Sequence, residues 1–475
     1  MVSRTWLVMV ALVVGCGSGG AGVDANAVDA GRSTVSGSWV LDVHQGGDVS
    51  TLPADLTGQT IAAWVPRGDG GFDRIDGSGN VTGRFEIADV PEERVIVQVG
   101  PSWFAATAAR ELDLGSDWGG RTDVQVGSAG TTLQVDVSGM SPWGQLDDLL
   151  LSAPSLSFDF PLQYLTAADI PAGSTDLVDL ACDWQGFPLI ESRDPVSVYQ
   201  YEAADIDGNT FATPTRMATL DPFDMVGGAA TDLTVALAPL APTGSVHLQW
   251  NAPAYAGWAD QVHPQAFALW GEAALGLSRP GSDPRALFLY QAPTLVSGNF
   301  LTLDPLDHTF AYADPFPADW TRVVYASTTF MFDLDVSAGA GVSLFGDMIY
   351  ADELSSQGDA PVTVRVSPPG RVSVSAGGTS PHLSWQPPTI GTPTGYDVQV
   401  VRLFLNGADG DYDFGATLYT AEPEIDLPPG VLADGEVYIF RVAAVLRPNS
   451  DPVTHPFRVS YPFAVAEAWS GTYAP

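Results

Sequence analysis

Phe330-Met331-Phe332-Asp333-Leu334-Asp335-Val336 puts an apolar side chain at every even position and aspartate at two of the three odd ones. Successive side chains of a strand point to opposite faces, so this is the pattern of a strand with one face in a core and the other in water. The same period of two recurs in Leu133-Gln134-Val135-Asp136-Val137, Leu156-Ser157-Phe158-Asp159-Phe160 and Val246-His247-Leu248-Gln249-Trp250. The chain carries 50 glycines and 37 prolines without a collagen period, which suits many short strands joined by tight turns. Helical spacing is confined to Leu146-Asp147-Asp148-Leu149-Leu150 and to Phe267 through Leu277, where short helices are expected. The expected fold is all-β: tandem β-sandwich domains behind a signal peptide and a flexible tether.

With 475 residues, 45% of them hydrophobic, the chain can bury normal cores in about three domains. It holds 56 acidic residues against 19 basic ones, a net charge of −37, and every basic residue is arginine, as a GC-rich genome favours. Such acidity excludes nucleic acid as a partner, because phosphate contacts need clustered Lys or Arg, and it opposes docking on anionic lipid. It suits a solvated, self-repelling surface or carboxylate-rich calcium loops.

The N-terminus sets the compartment. Arg4 precedes an unbroken apolar run from Trp6 to Val14, too short for a spanning helix but of the length of a secretory signal. Val13-Val14-Gly15-Cys16 resembles the lipobox of bacterial lipoproteins. That resemblance implies cleavage before Cys16, diacylglycerol on its thiol and an acylated new N-terminus, and Gly17 after the cysteine leans towards the outer membrane. Residues 1–15 are then the signal peptide, and the Gly/Ala-rich stretch 16–36 is a flexible tether. The expected location is the bacterial cell envelope, with the membrane as partner through the lipid anchor. Cys182 is left without an intrachain disulfide partner and reads as a small buried hydrophobe.

Residues 37–127 contain Gly83-Arg84-Phe85-Glu86-Ile87, Val90-Pro91 and Val95-Ile96-Val97-Gln98-Val99. This resembles the carboxypeptidase-regulatory or prealbumin-like sandwich, a structural or adhesive module. Residues 128–366 are β-rich and of unassigned fold, as one domain or two. There Trp250-Asn251-Ala252-Pro253 echoes Trp385-Gln386-Pro387-Pro388, a hint of repeated modules. Residues 367–475 carry Trp385 at a strand end and Leu432-x-x-Gly435-x-x-Tyr438-x-Phe440-Arg441-Val442-x-Ala444. This is similar to the fibronectin type III pattern. The resemblance implies structural roles for Trp385, Leu432 and Tyr438, with the Tyr438 hydroxyl bonding back to the backbone before its strand.

No H-E-x-x-H, G-x-S-x-G or P-loop occurs, and the six histidines are scattered, so no catalytic set is assigned. No cofactor is implied beyond calcium, for which Asn406, Asp409, Asp411 and Asp413 supply oxygen ligands in one loop. Asp205-Ile206-Asp207-Gly208-Asn209 is a shorter version, and both runs equally suit hairpin tips. Trp103, Trp118, Trp143, Trp258 and Trp320 lie near turns, where they could stack on sugars or pack a core. The leading expectation is a non-enzymatic, lipid-anchored protein presenting sandwich modules to an envelope protein or polysaccharide. The rivals are a secreted hydrolase, carbohydrate-active, with its site in the middle region, and a purely structural spacer.

Overall fold

The structure is a computed structural model that describes residues 31–45, 48–162, 170–206, 209–281, 294–300, 305–337, 340–354, 359–375 and 377–475. The signal segment, Cys16 and residues 17–30 of the expected 16–36 tether lie outside the described residues, as do Asp207 and Gly208. Residues 32–36, at the end of that stretch, already belong to a strand paired with residues 86–91.

Four β-sandwiches follow one another. The first holds β1 (Arg32–Ser38), β2 (Val40–Gln45), β3 (Asp48–Pro53), β4 (Ile61–Pro66), β5 (Phe72–Asp76), β6 (Ser78–Gly79), β7 (Arg84–Pro91), β8 (Val95–Val99), β9 (Trp103–Thr107), β10 (Glu111–Asp113) and β11 (Ser116–Gly119). The second holds β12 (Thr132–Ser138), β13 (Asp148–Ala153), β14 (Phe158–Pro161), β15 (Leu177–Asp183), β16 (Ser197–Ile206), β17 (Asn209–Thr219), β18 (Ala230–Ala236) and β19 (Ala238–Pro239). The third has β20 (Gly244–Trp250), the short helices α1 (Ala252–Ala256) and α2 (Ala259–Val262), then β21 (Phe267–Ser278), β22 (Thr294–Phe300), β23 (Leu306–Tyr312), β24 (Thr321–Ser337), β25 (Ala340–Glu353) and β26 (Asp359–Val362). The fourth has β27 (Ser373–Val374), β28 (His382–Ser384), β29 (Gly395–Asn406), β30 (Asp409–Thr420), β31 (Glu424–Asp426), β32 (Val437–Leu446) and β33 (Phe463–Trp469).

Both stretches expected to be helical are strands instead: Phe267–Ser278 is β21, and Asp148–Ala153 is β13. The reason is burial on both faces. Ala273, Ala274, Leu275 and Leu277 are all buried, as are the consecutive Leu151, Ser152 and Ala153, so alternation fades in the second half of each strand.

A common plan runs through the chain. In the first three sandwiches an early strand (β1, β12, β20) pairs antiparallel with β7, β15 or β23 and parallel with a late one, β10, β18 or β26. The opposite layer is a four-stranded sheet in each case: β5-β4-β8-β9, β14-β13-β16-β17 and β22-β21-β24-β25. The fourth sandwich keeps that layer as β30-β29-β32-β33 and roofs it with β27-β28-β31. Trp250 ends β20 and Trp385 follows β28, at 2% and 4% exposure, so the echo in sequence marks matching places in two successive roofs.

The four-stranded layers are fused edge to edge. Strand β9 pairs with β30, β33 with β25, and β22 with β17. The result is one ribbon in the order β5-β4-β8-β9-β30-β29-β32-β33-β25-β24-β21-β22-β17-β16-β13-β14, with β19 beside β17. In space the sandwiches therefore run first, fourth, third, second. Fusion gives backbone partners to edge strands that would otherwise present open N–H and C=O groups. Sixteen strands laid flat would span roughly 70 Å, yet the first and second sandwiches touch. Gly120 N–H donates to His44 O (2.9 Å) and Arg121 N–H to Ser155 O (2.7 Å). Gly120 and Arg121 thus tie β2 to the second sandwich, so the ribbon curves enough to bring its two ends together.

Candidate functional site

The proposed calcium residues form a hairpin. Asn406 and Asp409 pair across a two-residue turn in which Gly407 takes φ +70°, the geometry of a type II′ connection. Asp409, Asp411 and Asp413 alternate along β30, roughly 7 Å apart from one to the next. Asn406 Nδ2 donates to Asp411 Oδ2 (3.0 Å), and Arg402 Nη2 donates to Asp413 Oδ2 (2.7 Å). Among the described residues no three His, Cys, Asp or Glu side chains gather closely enough to hold a metal ion. In the fourth sandwich Trp385, Leu432 and Tyr438 are all buried, and Tyr438 Oη accepts a hydrogen bond from Ala433 N–H at 2.9 Å. Cys182 is buried, and burial pushes its thiol up to about 11.

Carboxylates collect where β25 meets β33. Thr329 Oγ1 donates to Asp347 Oδ1 (2.7 Å), Asp347 N–H donates to Glu467 Oε2 (3.1 Å), and Arg441 Nη1 lies 3.2 Å from Glu467 Oε1. Burial pushes both acids above their ordinary values, against the pull of Arg441. Glu272 of β21 accepts a hydrogen bond from Tyr325 Oη (2.8 Å), and burial pushes it up to about 7. A raised carboxyl binds its proton more tightly in the folded state, so stability falls as pH rises from about 4.5 to 7. Glu272→Gln is expected to flatten that part of the slope and to be the more stable protein at pH 8, by about 1 kcal/mol or more. Denaturant midpoints between pH 4 and 8 measure it; an unchanged slope refutes it.

Two features of the surface stand apart from the rest. On the outer face of the ribbon, cross-strand register sets Phe267 beside Met331 and Met331 beside Phe345, with Trp270 beside Thr329 in the next row. Phe267, Trp270 and Phe345 are 47%, 38% and 39% exposed. Neighbours in such rows stand about 5 Å apart, so the four apolar side chains form one patch.

The second is a cavity of about 540 Å³ between the third and fourth sandwiches. Asn251 starts it: its side chain caps α1 through Ala254 N–H, with Pro253 in the first turn. The α1–α2 excursion then carries Tyr255, Trp258 and Gln261 to the lining, and Thr363, beside Asn251, and Ile390 complete it. Trp250 packs edge-on against Tyr255 at 6.1 Å and fixes it. Ile390 is held by Ser367, whose N–H donates to Ile390 O (3.0 Å) and whose Oγ accepts from Ile390 N–H (3.2 Å). None of the eleven lining residues is charged.

Of the five tryptophans set apart in the sequence, Trp258 lines this cavity. Trp143 and Trp320 are buried, Trp103 packs edge-on against Trp39 and Phe457, and Trp118 is exposed on β11. Asn251, Tyr255, Gln261 and Thr363 were not foreseen; the Trp250-Asn251-Ala252-Pro253 echo was the signal nearest to them.

These features define an all-β protein of tandem β-sandwiches. No family model matches the chain, and no curated protein does. Among solved structures it is similar to the FN1-FN3 domains of chicken CNTN1, at 10% identity and a TM-score of 0.14, over 74% of this chain and 98% of that one. It is also similar to a tetra-tandem repeat in the extending region of a large adhesion protein, at 10% identity and a TM-score of 0.14, over 92% of this chain and 99% of that one.

Proposed function

We propose that this protein is a non-enzymatic binding or scaffolding body of the bacterial cell envelope, held to the outer membrane by lipid on Cys16. The observation that carries the binding part is the exposed Phe267–Met331–Phe345 row with Trp270. Apolar surface grouped on a stiff, fused sheet is surface that a partner would cover. The lipobox-like Val13-Val14-Gly15-Cys16 and the Gly-rich stretch after it support the anchor. The prealbumin-like reading of the first sandwich and the fibronectin type III reading of the last agree with a body that presents surfaces. The Asp347–Glu467 pair favours a hydrolase as second reading, but the cavity, where a substrate would sit, is lined by neither acid.

Cys16→Ser is expected to move the protein from the membrane to the soluble fraction; retention on membranes through a high-salt wash rejects the anchor. The released chain should still bind isolated envelopes, and Trp270→Ser with Phe345→Ser should abolish that binding. Envelope binding unchanged by the double substitution rejects the patch as the binding surface.

A further inference from the structure

The cavity between the third and fourth sandwiches has a lining that selects its occupant. The chain averages more than one charged residue in seven, yet all eleven lining residues are neutral. A phosphate, carboxylate or ammonium would find no counter-charge there, and the net charge of −37 repels anions from the whole body. What the walls offer is an aromatic surface at Trp258, backed by the buried Tyr255, with side-chain donors and acceptors at Asn251, Gln261 and Thr363. Trp258 is half-buried, so part of its ring stays open, while Gln261 and Thr363 are exposed. The volume of about 540 Å³ falls inside the range of about 300–1,000 Å³ typical of small-molecule sites.

We propose that this cavity binds a neutral carbohydrate, one or two pyranose units standing free or ending a longer glycan. A pyranose has an apolar C–H face and a rim of hydroxyls. The face lies on Trp258, and the hydroxyls exchange hydrogen bonds with the amides of Gln261 and Asn251 and with Thr363. The site is set before the ligand arrives, because the Asn251 cap holds α1 and Ser367 holds Ile390. Little ordering is then lost on binding. This rests on the binding reading above and names its ligand class, through a surface separate from the aromatic patch.

The test uses the full-length chain, titrated by calorimetry and tryptophan fluorescence with neutral disaccharides and tetrasaccharides of glucose, mannose, galactose and N-acetylglucosamine. At least one is expected to bind, Trp258→Ala to weaken it about tenfold or more, and Trp118→Ala to leave it unchanged. Gln261→Glu places a charge at an exposed position that no packing depends on, and is expected to weaken binding several-fold with the circular dichroism spectrum intact. A disaccharide that binds directly marks free sugar as a sufficient ligand. Binding only of neutral polysaccharide, lost in both variants, marks a chain end as the ligand. The proposal is overturned if nothing in the panel binds, if both variants bind like the parent, or if only an apolar dye or peptide occupies the cavity. In that last group of outcomes, envelope binding through Trp270 and Phe345 can still hold, so the two readings fail separately.

Discussion

Arg121→Ala is expected to destabilise the second sandwich by about 3–5 kcal/mol, the range for removing one partner of a buried ion pair. Arg121 is 3% exposed and follows β11 by two residues, where the chain enters the second sandwich. Its Nε and Nη2 reach the two carboxylate oxygens of Asp194, each at 3.0 Å, and Nη2 also donates to Leu189 O at 3.2 Å. Asp194 is 4% exposed and further accepts from Ser155 Oγ (2.6 Å) and Glu191 N–H (2.8 Å). Burial opposes its charge, but the hydrogen bonds from Arg121 and Ser155 outweigh that and hold its carboxyl below the ordinary value. The stability this gives is present above the unfolded carboxyl value and lost as pH falls through the depressed folded one. Without the guanidinium the same carboxylate is stranded, so the variant should lose most near neutral pH and approach the parent in acid. Denaturant midpoints at pH 4 and pH 7 decide it, read by fluorescence of the buried Trp184. A loss below about 1 kcal/mol at pH 7, or one that grows in acid, would show that the pair is not what holds this joint.

How much of this was legible beforehand depends on where each strand sits. Phe330 and Phe332 bury one face of β24, so alternation reads true there. In the second half of β21 both faces are covered, and the apolar run from Ala273 to Leu277 has neither a strand's period nor a helix's. The fusion of the ribbon left no trace at all. Trp103–Ala106 pair with Thr417–Thr420 through backbone groups, across more than three hundred residues of chain, and backbone bonds impose no residue pattern. The cavity was half visible. Trp258 stood out as a tryptophan near turns, but Thr363 and Ile390 reach it from distant segments, and no local spacing predicts that meeting.

One cation braces the joint between the first and fourth sandwiches beside the β9–β30 pairing, and Arg458→Ala should loosen it. Arg458, in the segment between β32 and β33, sends Nε to Asp113 Oδ2 (2.6 Å), Nη2 to Asp42 Oδ2 (2.8 Å) and Nη1 to Asp117 Oδ2 (3.1 Å). Those three acids come from β10, β2 and β11. His44 sits 3.1 Å from Asp117 and His455 3.8 Å from Asp113, at the edge of the same cluster. Burial works against the charge on Arg458, and the carboxylates around it more than restore it, so its proton is held more tightly than usual. For Asp42, likewise, burial is outweighed by hydrogen bonds from Thr51 and Arg458, and its carboxyl stays below the ordinary value. Removing the guanidinium leaves three aspartates facing one another, at a cost of about 2–4 kcal/mol to the joint. The sign of the pH response should then reverse. In the parent the joint weakens as acid protonates the depressed Asp42 carboxyl; in the variant, protonating Asp42 removes one of three like charges, so the joint tightens in acid. Arg458→Lys should restore less than half of the loss, since an ammonium cannot bridge three carboxylates as a planar fork does. Proteolysis within the part-buried β2 and β11, followed with pH by mass spectrometry, reads the opening directly. Equal cleavage of parent and variant at pH 7 would mean that the β9–β30 pairing holds the sandwiches together without the charge cluster.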